Sequence, residues 1–170
     1  RFEARVREEG LSDADGRVMD CHALDLPDDS FDVTGSQFGV MLVPDQPRAL
    51  REMVRVTKPG GRVLLIAYGF PAELDFLQIF IGALKAVHPG FPGLPDDPPP
   101  LEFQVADPEV LRRRLADAGL KDVRIERTAE RLSGIAADVH RLYGTLDPAD
   151  QRAAIRKGAE RKVILATSIA

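Results

Sequence analysis

Three neighbouring side chains raise the question of chemistry: Asp20, Cys21 and His22, in the stretch RVMDCHA. A carboxylate, a thiol and an imidazole in a row offer an acceptor, a nucleophile and a base. Each also has a plainer role. By residue type, an Asp at the end of an extended segment reads as a turn cap. A single cysteine is more often a small buried hydrophobe than a reactive thiol. A histidine at a strand end is more often a hydrogen-bonded structural residue than a general base. The remaining titratable groups point to less. His88 and His140 stand apart from other ligand types, so no metal site is expected. Asp25, Asp28 and Asp29 lack the spacing of a calcium loop and read as a solvated turn. Arg112, Arg113 and Arg114 fall on a helix whose other face is apolar, so they read as its solvent side. Gly60 and Gly61 precede a strand, where a phosphate cradle would precede a helix.

The elements that must position these residues follow from periodicity and punctuation. RFEARVREEGL reads as the end of a helix, with Phe2 and Val6 four apart and Gly10 at the C-terminal cap position. No capping residue precedes it, so the chain is expected to be a truncated domain spanning 1–170. Residues 17–23 read as a short strand and residues 31–37 as another, separated by the turn-rich LDLPDDS. Asp45 is an N-cap with Pro47 in the first turn of a helix carrying Leu50, Met53, Val54 and Thr57 inward. Pro59 and Gly60 are expected to end that helix, and Gly61 to turn the chain into the strand VLLIA at 63–67. An uninterrupted apolar strand suggests burial on both faces, as in parallel sheets covered by helices. Strand, helix, strand makes a βαβ unit. A helix is predicted over 71–88, with Leu74, Leu77, Ile81, Leu84 and Val87 near one stripe. Residues 89–100, PGFPGLPDDPPP, form a proline-rich loop. Asp107-Pro108 opens a helix stopped by Gly119, residues 121–128 alternate like an edge strand, and helices are predicted at 134–143 and 147–158. RKVILATSIA reads as a final strand.

Composition narrows the class. With 170 residues, 44% hydrophobic and 29% charged, the chain is large enough for one domain with a substantial core. The net charge of −4 argues against a nucleic-acid footprint. One cysteine permits no internal disulfide and fits a reducing cytoplasm. No apolar run approaches the ~20 residues of a membrane span.

MDCHALDLPDDSFDV, then SQFGVML and PD, then ALREMVRVTKPGGRVLL, resemble the second half of class I S-adenosylmethionine-dependent methyltransferases. The likeness is nearest to the small-molecule branch that includes ubiquinone and menaquinone biosynthesis enzymes. It is nearly continuous over 17–68 and rests on element order alone over 69–128. The resemblance implies an α/β Rossmann-like class I methyltransferase fold, with the last strand of the sheet antiparallel. This chain would be its C-terminal portion, a three-layer sandwich without the first two strands. It implies S-adenosyl-L-methionine as cofactor, lying across the carboxyl ends of the strands. Asp20 would accept from the adenine amino group, and the Cys21 backbone N–H would meet a ring nitrogen. Ser36 and Gln37 would lie by the methionine part and sulfonium. Phe38 would pack on the cofactor or close the pocket, and Tyr68 would face a small-molecule acceptor. If a base is needed, His22 and Tyr68 are the candidates. The loop 89–100 would be a lid over the acceptor.

The family's glycine-rich G-x-G-x-G loop and its ribose-binding acid have no counterpart here. The strands that carry them would lie between 17–23 and 31–37 in the sheet, so the strand from Phe31 is expected to expose an edge and to favour aggregation. That absence keeps open a non-catalytic, degenerate Rossmann-like interaction domain. A fragment of a nicotinamide-dependent reductase shares the fold class, but the Asp20 block and the proline-glycine-glycine junction speak against it.

Overall fold

A computed structural model of the chain describes residues 2–131 and 160–169. The helix α1 (Phe2–Glu8) ends as expected, with the Leu11 N–H returning to the Val6 carbonyl at 2.9 Å. Strand β1 (Phe31–Gln37) leads through a 3-10 turn at Val40–Leu42 into α2 (Gln46–Val56) and β2 (Thr57–Tyr68). A second 3-10 turn at Pro71–Glu73 precedes α3 (Asp75–Val87). After the proline-rich loop come a turn at Leu101–Phe103, α4 (Pro108–Asp117), β3 (Lys121–Arg131) and β4 (Glu160–Ile169). The predicted helices at 134–143 and 147–158 lie outside the described residues.

The strands form one sheet in the order β1-β2-β4-β3. β1 and β2 are parallel, and β4 runs antiparallel to both β2 and β3. The antiparallel final strand is the one the resemblance implied, and β3 takes the edge position read from its alternation. β1 forms the opposite edge, with no second neighbour among the described residues. Val33 on it is 61% exposed.

The predicted strand at 17–23 is absent. Only an isolated bridge between Asp20 and Ala23 occurs there. A strand is a ladder of paired backbone groups, and no partner chain lies beside this segment among the described residues.

The junction at 55–66 also differs from expectation. α2 stops at Val56, before Pro59, and Thr57 ends it by donating its hydroxyl to the Met53 carbonyl at 2.6 Å. Pro59 and Gly60 fall inside β2, where the register with β1 jumps from Phe31↔Thr57 to Val33↔Arg62. The extra residues on β2 form a bulge, which suits a proline without an N–H and a glycine at φ +78°. A Cβ on Gly61 would stand 2.7–2.9 Å from Thr57 Cγ2, the Lys58 carbonyl and the Asp32 carbonyl, so the strands meet there as backbone on backbone.

β2 is buried on alternate positions: Val63, Leu65 and Ala67 are covered, while Leu64, Ile66 and Tyr68 are only half-buried. Its unbroken apolar run had suggested two covered faces. The covered face meets Leu50 and Met53 of α2 and Leu111 and Leu115 of α4 in one cluster. Full burial of each such leucine contributes about 2–3 kcal/mol. α3 behaves differently from its predicted stripe. Leu74, just before it, is fully buried, but no residue within the helix is, and Val87 is 81% exposed.

The arginine run on α4 is not simply a solvated face. Arg112 donates to the Val123 carbonyl at 2.6 Å, and Arg114 donates to the side-chain oxygen of buried Gln46. Two of the three arginines therefore tie α4 to its neighbours, and only Arg113 is exposed.

Candidate functional site

In a parallel strand pair the side chains at the carboxyl ends, and the loops that follow them, surround one crevice. Here those ends are Gln37 of β1 and Tyr68 of β2. The segment that carries Asp20, Cys21 and His22 is strapped onto α2, which starts beside the same crevice.

The strap is held by charge. Arg48 Nε donates to the His22 carbonyl at 2.8 Å, and Glu52 accepts from the Leu24 N–H at 2.7 Å. Arg55 donates to the carbonyls of Leu24 and Leu26 and to Asp28, and pairs with Glu52 at 2.8 Å. Arg55 holds the Glu52 carboxyl below its ordinary range, while Glu52 and then Asp28 raise the guanidinium further above its own. None of these α2 side chains was singled out in the sequence. The signal available was the Glu52/Arg55 spacing of three, which places acid and base on one helix face.

Within the strap, Asp20 and His22 fold onto each other. One carboxylate oxygen, Oδ1, accepts from the His22 backbone N–H at 2.9 Å and lies 2.8 Å from His22 Nδ1. These contacts, the backbone hydrogen bond first, lower the Asp20 carboxyl below the usual range. Oδ2 accepts nothing among the described residues, and the Asp20 side chain is 67% exposed. The Cys21 N–H has no backbone partner among the described residues either. An open acceptor thus stands next in sequence to an open donor. The Cys21 thiol sits 3.8 Å from His22 Nδ1 and is half-buried. The ligand atoms of Asp20, Cys21 and His22, adjacent in sequence, lie within 4.8 Å of one another.

Ser36 and Gln37 point apart, as neighbours on a strand must. Ser36 is half-buried and its hydroxyl accepts from the Val40 N–H at 2.9 Å, which shapes the turn after β1. Gln37 is exposed. Phe38 follows at φ +55°, an unusual conformation for a bulky residue, fixed by its N–H on the Ile66 carbonyl at 2.8 Å. Outliers of this kind gather at functional sites because the surroundings must enforce them. The Phe38 ring lies 5.0 Å from that of Tyr68, and Tyr68 also approaches Phe76 and Phe103 at 6.4 and 6.3 Å. The carboxyl end of β2 therefore opens onto an aromatic wall.

The structure divides the predicted residues into groups. Cys21 and Ser36 line one cavity of about 460 Å³ that runs along β1 from Phe31 to Gly39, under the strap and against Met53 and Val56. Asp20 stands at the exposed turn beside it. Phe38 and Tyr68 form the aromatic wall, and Gln37 joins neither. His22 lines a second, polar cleft of about 610 Å³ with Arg48 and Arg51. Gln46 was missed altogether. It is buried, and its amide donates to the Met41 and Leu101 carbonyls at 2.9 and 3.0 Å, joining the turn after β1 to the end of the proline-rich loop. A polar residue beside a proline at a helix start was its only signal.

Among known proteins, residues 1–65 match the model of a family described as a methyltransferase domain. The ubiquinone/menaquinone biosynthesis C-methyltransferase UbiE of Geobacter sulfurreducens is 32% identical over 115 residues, which covers 62% of this chain and 43% of that protein. The chain thus spans less than half the length of this curated relative. The crystal structure of the YcgJ protein of Bacillus subtilis superposes with a TM-score of 0.64 at 17% identity, covering 98% of this chain and 75% of that one. A SAM-dependent methyltransferase of Methanosarcina mazei gives 0.56 at 18% identity, covering 98% and 74%. At these identities the structural likeness is one of fold.

Proposed function

We propose that this chain is of the class I S-adenosylmethionine-dependent methyltransferase kind, in the ubiquinone/menaquinone branch, and supplies the adenine-reading and acceptor-facing part of a methyl-transfer site. The observation that carries the reading is the open pair at residues 20 and 21. A 6-aminopurine edge presents an amino donor beside a ring-nitrogen acceptor. Asp20 Oδ2 and the Cys21 N–H offer the complementary acceptor and donor. The described residues fit the cofactor on that count.

When bound, S-adenosyl-L-methionine supplies a methyl group already made electrophilic by its sulfonium. The protein's task is to bind and to orient. In this reading Ser36 and Gln37 flank the methionine part, and Phe38 closes the pocket beside it. Tyr68, with its aromatic neighbours tilted against it, offers an aromatic surface to a small-molecule acceptor. UbiE's name speaks of ubiquinone and menaquinone biosynthesis, and a flat aromatic ring of quinone type suits such a wall. His22 Nδ1 is engaged with Asp20, so Tyr68 is the better placed of the two candidate bases. The loop 89–100 acts as a lid, and its deletion weakens acceptor binding more than cofactor binding. Equal losses in both would dismiss the lid. No described helix is long and apolar enough to cross a membrane, and a cytoplasmic site of action fits the reading.

One observation favours a second reading, a non-catalytic interaction domain: β1 has a bare edge among the described residues. Calorimetric titration with S-adenosylhomocysteine, NAD and NADP separates the cases. Binding of S-adenosylhomocysteine alone supports methyl transfer. Binding of a nicotinamide cofactor indicates a reductase, and binding of none leaves the interaction domain.

A further inference from the structure

We propose that His22 is a positioning residue that presents the Asp20 carboxylate to the adenine amino group and so sets selectivity for a 6-amino over a 6-oxo purine. The inference rests on the proposed reading of Asp20 as the adenine contact.

An exposed aspartate on a turn can rotate freely, and a rotating carboxylate makes a poor reader of one base edge. Asp20 is 67% exposed on its side chain but not free. His22 grips it twice on the same oxygen, by its backbone N–H at 2.9 Å and by Nδ1 at 2.8 Å. Both contacts use Oδ1, and Oδ2 accepts nothing among the described residues. The second contact exists only because residue 22 carries a ring nitrogen at that reach. An alanine there keeps the turn and its backbone bond but loses the ring bond.

The ring is itself fixed. The His22 side chain is 19% exposed, and the residue is anchored through its carbonyl to Arg48 Nε at 2.8 Å. Its far nitrogen, Nε2, is buried with no partner among the described residues. A proton on Nε2 would point at no acceptor, whereas a proton on Nδ1 meets the Asp20 carboxylate. The packing therefore selects the Nδ1–H tautomer, the one that grips Asp20. The grip holds the carboxylate with a donor, and the Cys21 N–H, which has no backbone partner among the described residues, completes the reading edge.

The test compares binding of S-adenosylhomocysteine and S-inosylhomocysteine, which carries a 6-oxo group, to the full chain and to His22→Ala and His22→Asn. The unmodified chain is expected to favour the 6-amino ligand. His22→Ala lowers that preference about tenfold, equivalent to about 1.4 kcal/mol. His22→Asn, whose side-chain amide can donate near the Nδ1 position, restores much of it. Nitrogen-15 NMR of the unmodified chain reads the Nδ1–H tautomer without any ligand. Unchanged preference in His22→Ala, or an Nε2–H tautomer, overturns the positioning role and leaves the cofactor reading standing. Failure of the unmodified chain to bind either ligand overturns both. Should His22→Ala not fold, His22→Phe, which keeps a ring without its donor, takes its place: a fall in preference there that His22→Asn does not show supports the proposal, and unchanged preference in His22→Phe overturns it.

Discussion

Replacing Gln46 by leucine tests whether a buried polar joint, rather than apolar packing alone, holds the crevice in shape. Gln46 is 1% exposed. Its amide nitrogen donates to two carbonyls, Met41 at 2.9 Å and Leu101 at 3.0 Å, and its oxygen accepts from Arg114. Leucine keeps most of the volume and removes all three bonds. Arg114 is half-buried and can turn to water, so its loss is small. The Leu101 carbonyl is half-buried and keeps the Gln104 N–H at 3.3 Å. The carbonyl of buried Met41 loses its partner, and a buried polar group left unpaired costs about 1–3 kcal/mol. The apolar gain of leucine offsets part of this. The expected net loss is about 1 kcal/mol, and for a chain of this length it lowers the Tm by about 3 °C. Urea unfolding followed by circular dichroism measures it, with an unchanged m-value showing that only stability moved. Gln46→Glu is the partner experiment. Its carboxylate can still accept from Arg114 but opposes both carbonyls, and it regains one donor only when protonated, so its deficit narrows as pH falls. A Gln46→Leu chain as stable as the unmodified one would refute the reasoning, since the joint would then contribute nothing that leucine packing does not.

Leu50, fully buried between α2 and the sheet, should lose about 3 kcal/mol on truncation to alanine, read from the same urea curves. Gly60→Ala strains a backbone at φ +78° and costs about 1 kcal/mol, while Gly61→Ala drives a Cβ against two carbonyls and costs more, so the order of their melting temperatures checks the bulge. Acid should destabilise the chain in a predictable direction. Asp20, Asp32 and Glu52 are held below their ordinary values of 3.8, 3.8 and 4.5, chiefly by His22, Lys58 and Arg55. The unfolded chain therefore binds more protons in that range. Their contribution is complete above the unfolded values and fades as pH falls through the depressed ones. Lys58→Met should flatten the Asp32 share of that slope in melts between pH 5 and 2, a range set around ordinary carboxylate values.

Much of the architecture was legible because it is local. The unbroken run after Gly61 and the caps Asp45 and Asp107 identify β2, α2 and α4, and both caps accept where the sequence puts them, Asp45 from the Arg48 N–H and Asp107 from the Glu109 N–H. The strand at 17–23 was misread because its residues carry strand propensity but strandhood needs a partner, which periodicity cannot supply. Pro59 and Gly60 looked like a helix stop, yet Thr57 already ends the helix by satisfying the Met53 carbonyl, and the pair serves the bulge instead. The roles of Arg112 and Arg114 depend on what α4 packs against, and helical spacing does not say. At the site, the resemblance singled out Asp20 and Cys21 as candidates. The fold-back of His22 onto Asp20 and the burial of Gln46 were not, because both are settled by contacts across 2 and 55 or more residues that only the folded chain brings together.

The central claim is that Asp20 and Cys21 read an adenine at the carboxyl edge of the sheet. Titrating the isotope-labelled chain with S-adenosylhomocysteine and following backbone amides by NMR tests it most directly. The account predicts saturable shifts at Cys21 and at residues 36–38, lost or strongly weakened in Asp20→Ala. Saturable binding that leaves Cys21 unmoved, or shifts at those residues with NAD in place of S-adenosylhomocysteine, would contradict it.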